Sequence, residues 1–473
     1  MHRRDFVRTG AAAMFAPVIV PRHVLGGAGF LAPSDTVNVA GIGVGGQGMW
    51  NLSAVSGQAN LVALADVDFG YVAEMFDERA AMREDDGAPM FPELTDLRAL
   101  FDRTPKYADF RRMLDERGSD IDAVVVATPD HTHAYAALTA MGHGKHVFVQ
   151  KPLTYSVEEA RALKRAAVAT GLVTQMGNQG HSSDDGRRAV ELVRSGVLGH
   201  VREVLAWTDR PAGYWAQGVA RPSEPGTPPP TLDWDLFLGP AAERPYSPDI
   251  HPFSWRGWVD FGGGALGDMG AHILDFPVWA LELGIPARVE TRHSPWGGEP
   301  ESPDTYPLAT ISTFTFDRPG GETVVLTWFD GGLMPPTPPG MPDSVRLDPG
   351  GGVMYVGERG LIIHDTYGLG PRVLPETLAD EAAAVPVSLP RIQGSMDGHE
   401  HNWLRAIRGE EAISCPFSYA ADLTEMMLLG VVALRAGHPI AYDEANMTIS
   451  NAPDADRYLR RAYRAGWELP AIG

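Results

Sequence analysis

The feature that most constrains this chain is a glycine cluster set between a strand and a helix. Val37 to Ile42 is a compact apolar run that reads as a strand, Gly43-Val44-Gly45-Gly46-Gln47-Gly48 follows, and a helical segment continues to about Val55. Strand, G-x-G-x-x-G and helix in that order is the context in which this glycine spacing carries meaning. Gly43 permits the tight turn, Gly45 lets the backbone approach a pyrophosphate, and Gly48 lets the helix lie close to the strand. Gly46 and Gln47 open that helix, whose free N–H groups and partial positive charge suit phosphate. A second apolar run, Leu61 to Ala65, ends at Asp66, where a carboxylate can accept both ribose hydroxyls of an adenosine and would repel a 2′-phosphate. These residues predict a dinucleotide site of the NAD rather than the NADP type on an α/β Rossmann domain.

The strands that follow extend the same domain. Ala123 to Ala127 ends in Thr128-Pro129-Asp130-His131-Thr132-His133, and His146 to Val149 ends in Gln150-Lys151-Pro152. The C-terminal ends of parallel strands open on the ligand crevice, which directs Thr128, Pro129 and Lys151 toward the nicotinamide half, with His131 and His133 on the cofactor side. His131-x-His133 lacks a third ligand nearby and reads as a helix-capping loop rather than a metal pair.

Composition bounds the rest. With 44% hydrophobic residues the chain can bury a core, and 60 Asp plus Glu against 39 Lys plus Arg, a net charge of −21, excludes a protein that coats nucleic acid or an anionic membrane. The single cysteine, Cys415, excludes an intrachain disulfide framework and any multi-cysteine metal site. Residues 1–33 carry Arg3-Arg4-Asp5-Phe6-Val7-Arg8, the apolar run Ala11 to Val20 and small residues from Gly26 to Ala32. This reads as a signal peptide, and the paired arginines resemble the twin-arginine signal that exports folded proteins. No other apolar stretch reads as long enough to cross a bilayer. The expected organisation is a signal peptide over 1–33, a dinucleotide domain over 34–155 and a second domain over 156–473.

After a helix over Val157 to Thr170 and a strand over Leu172 to Met176, the alternation gives way to strand-rich sequence: Val201 to Thr208, Arg288 to His293, Leu308 to Phe316, Thr323 to Phe329 and Leu361 to His364. Strands without intervening helices predict an α+β domain with an open, mainly antiparallel sheet. Pro211 to Pro230 and Gly331 to Gly352 read as long ordered loops.

The export signal, the glycine motif, Asp66, Thr128-Pro129-Asp130-His131-Thr132-His133 and Gln150-Lys151-Pro152 together resemble the Gfo/Idh/MocA oxidoreductases, from about residue 34 to the C-terminus. The resemblance implies NAD-dependent oxidation of a secondary hydroxyl on a sugar, glycoside or cyclitol, and a C-terminal sheet whose outer face forms a homo-oligomer contact. Most members carry Glu-Lys-Pro, so Gln150 is a departure that removes a carboxylate beside Lys151.

Gly262-Gly263-Gly264-Ala265-Leu266-Gly267-Asp268-Met269-Gly270-Ala271-His272-Ile273-Leu274-Asp275 predicts a helix from near Gly267. Asp268 and His272 are then i,i+4, and His272 and Asp275 i,i+3, on one stripe. The pattern looks like the family's catalytic helix, in which the residues matching Asp268 and His272 join the lysine at the reacting hydroxyl. Oxidising an alcohol needs a base as hydride leaves carbon. His272 titrates in the right range, with Asp268 orienting it; Lys151 can stabilise the alkoxide or act as the base itself. The two stay open, with His272 expected to lead.

Asn178, Gln179, His181, Trp255, Arg256 and Asp275 are the expected substrate contacts, while Trp207, Tyr214, Trp258 and Trp328 read equally as pocket or core. His399-Glu400-His401 reads as a helix start, not a metal cluster. An exported enzyme meets no free NAD, so the cofactor is expected to be loaded in the cytoplasm, retained, and returned to its starting state in each cycle. Two reactions meet that condition. One is transfer between two substrates; the other is oxidation, elimination, hydration and reduction, as in the family's NAD-dependent glycosidases. A non-catalytic binding protein is the third alternative.

Overall fold

In the computed structural model the residues described are 35–472 apart from 86, 223, 319, 340 and 343, and the export signal expected over 1–33 lies outside them. The chain enters strand β1 (Val37–Ile42), turns through the glycines into helix α1 (Gly46–Ser56), and returns as β2 (Ala59–Ala65). Then come β3 (Lys106–Tyr107), β4 (Ala123–Val126), α2 (Asp130–Gly142), β5 (His146–Gln150), α3 (Val157–Thr170) and β6 (Thr174–Gly177). The six strands form one sheet in the order β3-β2-β1-β4-β5-β6, every pair parallel. Parallel strands covered on both faces need apolar residues at nearly every position, and β4, Ala-Val-Val-Val, is buried throughout. The sheet runs past the boundary expected at residue 155. α3 carries a Ser156–Glu159 capping box and stops at Gly171 in the left-handed region, so it delivers the chain back to the sheet edge as a sixth strand.

The second sheet draws on β7 (Val201–Thr208), then helices α4 (Gly264–Ile273) and α5 (Asp275–Leu281) intervene before β8 (Arg288–His293). A small hairpin, β9 (Gly297–Glu299) and β10 (Ser302–Thr305), stands apart. The chain then forms β11 (Thr310–Asp317), β12 (Thr323–Phe329), β13 (Gly351–Gly357), β14 (Leu361–His364) and β15 (Arg372–Leu374). Helices α6 (His399–Ile407) and α7 (Phe417–Ala436) precede β16 (Ile440–Asp443) and β17 (Thr448–Ile449). The nine strands lie in the order β15-β14-β13-β7-β12-β11-β8-β16-β17, antiparallel except for β12 against β7. β13 begins within the loop expected over Gly331 to Gly352 and continues through residues for which the sequence predicted no strand. Its glycines disguise it, yet it sits centrally beside β7, where a Cβ on Gly352 would meet the Trp207 ring at 2.8 Å.

α7 corrects the expectation about apolar stretches. At 20 residues it is long and apolar enough to cross a membrane, but 83% of its most apolar window is buried, packed on α3, β8 and α4. Trp207, Trp258 and Trp328 are core residues whose indole N–H groups donate to Asp348 O, Asp249 O and Asp330 Oδ2 at 2.7, 2.8 and 2.9 Å.

Candidate active site

At the C-terminal edge of the parallel sheet a cleft of about 700 Å³ is lined by Gly43, Gly45, Gly46, Gln47, Asp66, Thr128, Pro129, His133, Gln150 and Lys151. Two glycines of the turn are sterically required, Gly43 and Gly48. Gly43 has φ +76°, and a Cβ there would lie 2.6 Å from Thr128 N; one on Gly48 would lie 1.9 Å from Gly43 O. Gly48 is therefore behind the cleft wall, holding α1 against the loop. No side chain caps the N-terminus of α1 and no acidic residue sits in its first turn, which leaves the helix end open to an anion. Asp66 lines the cleft but does more than await a ribose. Its Oδ2 accepts from Val44 N at 2.7 Å and Gly45 N at 3.3 Å, and Oδ1 from Asp68 N at 2.9 Å, so the carboxylate also shapes the glycine turn. The cradle, the open helix end and the acceptor at β2 together fit a dinucleotide.

A second cavity of about 240 Å³ joins this cleft through Gln47, Gln150, Lys151, Phe253 and Arg256, and continues to Gln179, Arg210, Tyr214, Asp268, His272 and Tyr367. Lys151 Nζ donates to Asp268 Oδ1 at 2.9 Å and to its backbone O at 3.1 Å. Arg256 Nε reaches the same Oδ1 at 3.3 Å, its guanidinium lying 4.3 Å from both the Phe253 and Trp255 ring centres. His272 Nδ1 lies 2.9 Å from Asn178 Oδ1, while Asn178 Nδ2 donates to Ala271 O at 2.8 Å. Because the amide oxygen can only accept, Nδ1 carries the hydrogen and Nε2 presents its lone pair.

Several expectations need correction. Asp268 does not orient His272; Asn178 does, and Asp268 is held by Lys151 and Arg256. α4 begins at Gly264 and breaks at Leu274, so Asp275 leaves the stripe and, fully buried, bonds His181 Nδ1 at 2.9 Å and Tyr419 Oη at 2.6 Å. His181 stacks on Trp279 at 3.9 Å, and neither His181 nor Asp275 lines the cavity. Trp255 lines the dinucleotide cleft instead of the substrate cavity. His131 and His133 lie in the first turns of α2, not in a loop. His131 is absent from the cleft: Nε2 meets Phe237 O at 2.9 Å and the ring faces Phe261. His133 lines the cleft with Pro152 O and Thr128 O each 2.8 Å from a ring nitrogen, and the neutral imidazole donates its single N–H to one of them. Asn51, Glu400, Arg210, Trp215 and Tyr367 were not anticipated. Asn51 alone left a local trace, one helical turn after Gln47. α6 begins at His399, as expected from His399-Glu400-His401.

Burial sets the charges. It works against ionisation of Asp268, but Lys151 and Arg256 hold that carboxyl well below the usual range. Burial, reinforced by Lys151, pushes His272 down to about 3. It also holds His131 at about 3 and His133 and His364 at about 4, while lifting Asp130 and Asp330 to about 7. Near pH 5 the unfolded chain binds about four more protons at these histidines, and the folded chain about two more at the aspartates. The depressed histidines lose stabilisation as pH falls from about 6.5, and the raised carboxylates offset only part. Unfolding free energy should fall by on the order of 2–3 kcal/mol per pH unit between about pH 6 and 4.5. Urea titrations across that window check this, and a flat profile would contradict it.

The sequence model of the Gfo/Idh/MocA oxidoreductase family, NAD-binding Rossmann fold, matches residues 36–178, and that of its C-terminal alpha/beta domain matches 187–290. Among curated relatives, scyllo-inositol 2-dehydrogenase (NAD(+)) of Bacillus subtilis is 44% identical over 57 residues, 12% of this chain and 17% of that protein. Levoglucosan dehydrogenase of Pseudarthrobacter phenanthrenivorans is 27% identical over 169 residues, 36% of this chain and 34% of that one. A glycosyl hydrolase family 109 protein of Shewanella baltica is 26% identical over 219 residues, 42% and 44% of the two chains. These alignments span less than half the length of the relatives. GenD2 from gentamicin A biosynthesis, solved with NAD, covers 90% of this chain and 99% of its own at 18% identity and TM-score 0.54. Levoglucosan dehydrogenase with NADH covers 85% and 98% at 17% and 0.51; at such identities the likeness is one of fold. With both family domains matched over more than half its length and the two-sheet architecture shared, the chain belongs to the Gfo/Idh/MocA oxidoreductase family.

Proposed function

We propose that the protein is an NAD-dependent oxidoreductase that oxidises a secondary hydroxyl of a sugar, glycoside or cyclitol, with Lys151, His272 and Asp268 at the reacting oxygen. The observation that carries this reading is the convergence of an ammonium, a neutral imidazole lone pair and a buried carboxylate on one cavity continuous with the dinucleotide cleft. Relatives named for cyclitol and anhydrosugar oxidation support the substrate class.

Bound NAD supplies the hydride acceptor. Lys151 spends two of its three N–H donors on Asp268, and the third is available to a substrate oxygen. His272 Nε2 accepts the hydrogen bond of the substrate O–H and aligns it. As hydride leaves carbon with the C–H bonding electrons, the O–H proton passes to His272 Nε2 and the ammonium stabilises the oxygen's developing charge. An imidazole at about 3 is a weak base at rest, so it takes the proton only as hydride departs, and the Lys151–Asp268 pair carries most of the charge stabilisation. Asp268 keeps the ammonium in place without contacting His272.

Export through the twin-arginine machinery to the periplasm, with NAD loaded beforehand and retained, is part of the proposal and is supported by the Arg3-Arg4 segment. So is a homo-oligomer through the second sheet, whose outer face alternates half-buried Ile311, Thr313 and Thr315 along β11. A redox-neutral glycosidase is the second reading, favoured by the similarity to the family 109 protein. Denaturing the purified protein and identifying the released nucleotide tests the cofactor. Mass spectrometry after incubation with sugars, cyclitols and glycosides then separates the reactions. A product lighter by two hydrogens supports oxidation, and cleavage with gain of water supports the hydrolase. Release of no nucleotide, with none taken up from added NAD, would sink both.

A further inference from the structure

Behind the reacting corner runs a chain of side-chain amides that ends on a single carboxylate. Gln150, the last residue of β5, accepts Lys151 N on Oε1 at 3.1 Å and donates from Nε2 to Asn51 Oδ1 at 3.0 Å. Asn51, on α1, donates from Nδ2 to Glu400 Oε1 at 2.7 Å, and Gln179 Nε2 donates to the same oxygen at 3.1 Å. Glu400 and Asn51 are buried at 6% and 0% exposure. Glu400 is held rigidly by its neighbours: His399 bonds Met176 O and Ser182 Oγ at 2.8 and 2.7 Å, and His401 bonds Ala54 O at 2.7 Å. The Met176 and Ala54 contacts fasten the start of α6 to β6 and to α1. Gly177 closes the other side, since a Cβ there would lie 2.7 Å from Gln150 Nε2.

An amide can present either its oxygen or its NH₂ to a neighbour, so an amide chain has two polarities. A carboxylate accepts and does not donate, and therefore sets the direction of every bond leading to it. From Glu400 outward, Asn51 must turn its NH₂ to Glu400 and its oxygen to Gln150, which leaves Gln150 Oε1 for Lys151 N. By the same logic Gln179 turns its NH₂ inward, and its Oε1, with no partner among the described residues, is left for the substrate cavity that Gln179 lines. We propose that Glu400 is a positioning residue that fixes this polarity, so that the cavity offers an acceptor at Gln179 and takes a ring carrying a second free hydroxyl within reach of the reacting one. This rests on the sugar or cyclitol reading above. A carbonyl, ether or anionic group in the same place would meet the Gln179 oxygen unfavourably.

The test uses the NAD-loaded protein, native and with Glu400→Gln or Gln179→Met. D-Glucose, myo-inositol and levoglucosan are the probes, each with its monodeoxy analogues, and the limiting rate and the half-saturating concentration, written kcat and KM below, are read from single-turnover reduction of the bound NAD. In the native protein one deoxy position, other than the reacting one, should raise KM about tenfold, the loss expected when an acceptor covered by the bound substrate goes unpaired. Glu400→Gln, whose new amide can flip, should shrink that penalty to less than about threefold while NAD stays bound; Gln179→Met should abolish it. A merely structural role would raise KM equally for parent and deoxy compounds, and that result, or a penalty unchanged in Glu400→Gln, overturns the proposal. If the native protein oxidises none of the probes, it is the dehydrogenase reading that fails. The polarity is then read directly in protein labelled with nitrogen-15 at glutamine. Glu400→Gln should speed exchange of the Gln150 side-chain NH₂ by about tenfold or more, and unchanged protection sinks the inference.

Discussion

Lys151→Met is expected to lower kcat by about 10³-fold while leaving NAD bound, because on the proposed mechanism it removes the ammonium at the reacting oxygen and leaves the glycine turn and Asp66 untouched. The side chain is 16% exposed and its Nζ makes both of its protein contacts with Asp268. Methionine fills the same channel. Loss of the charge leaves Asp268 buried with Arg256 at 3.3 Å as its remaining cation, so the carboxylate is weakened but not orphaned. Its pKa, held down by Lys151 and Arg256 against burial, should rise when the lysine is removed. The measurement is single-turnover reduction of the bound cofactor with saturating substrate, paired with quantification of released nucleotide. Activity above a tenth of native would remove Lys151 from the reaction. Loss of the nucleotide as well would mean that the lysine holds the cofactor instead.

The same ion pair explains what the sequence could and could not reveal. The glycine turn, Asp66 and the strand ends at Thr128 and Lys151 are legible because each depends on a few consecutive residues whose local geometry is decided within one turn or one strand. Asp268 and His272 are legible as i,i+4 neighbours, and both do line the cavity. Their partnership was misread because spacing gives proximity but not preference. A buried carboxylate gains far more from an ammonium and a guanidinium than from a neutral imidazole, and the imidazole turns to the amide of Asn178, just beyond β6. Asp275 failed for a different reason: the helix breaks at Leu274 because Pro277 has no N–H to donate to Ile273 O, a stop that the i,i+3 spacing alone does not register. Glu400 could not be found at all. It lies 349 positions from Asn51 and 221 from Gln179, and its role exists only once α6 has packed across the first domain.

The second large effect is expected at Gly48. A Cβ at this position would sit 1.9 Å from Gly43 O, 3.0 Å from Gly43 C and 3.3 Å from the Ala127 side chain. The first contact is backbone, which cannot swing aside as a flexible side chain would. Gly43 cannot yield either: its φ of +76° and the 2.6 Å that separates its own notional Cβ from Thr128 N lock it between β1 and the turn after β4. Gly48→Ala must therefore push α1 away from the sheet, and the helix end moves off the position at which it faces the cleft. The expected result is protein purified without nucleotide and an NAD affinity lowered by about 10²-fold or more, roughly 2.7 kcal/mol. Gly57→Ala, just beyond the other end of α1, is the control. Its φ is −75° and nothing lies within 4 Å of the added carbon, so it should retain NAD and, by narrowing the unfolded ensemble, raise stability by a few tenths to about 1 kcal/mol. Equal NAD retention by the two variants would mean that the close approach of α1 to the glycine turn is not what forms the dinucleotide site.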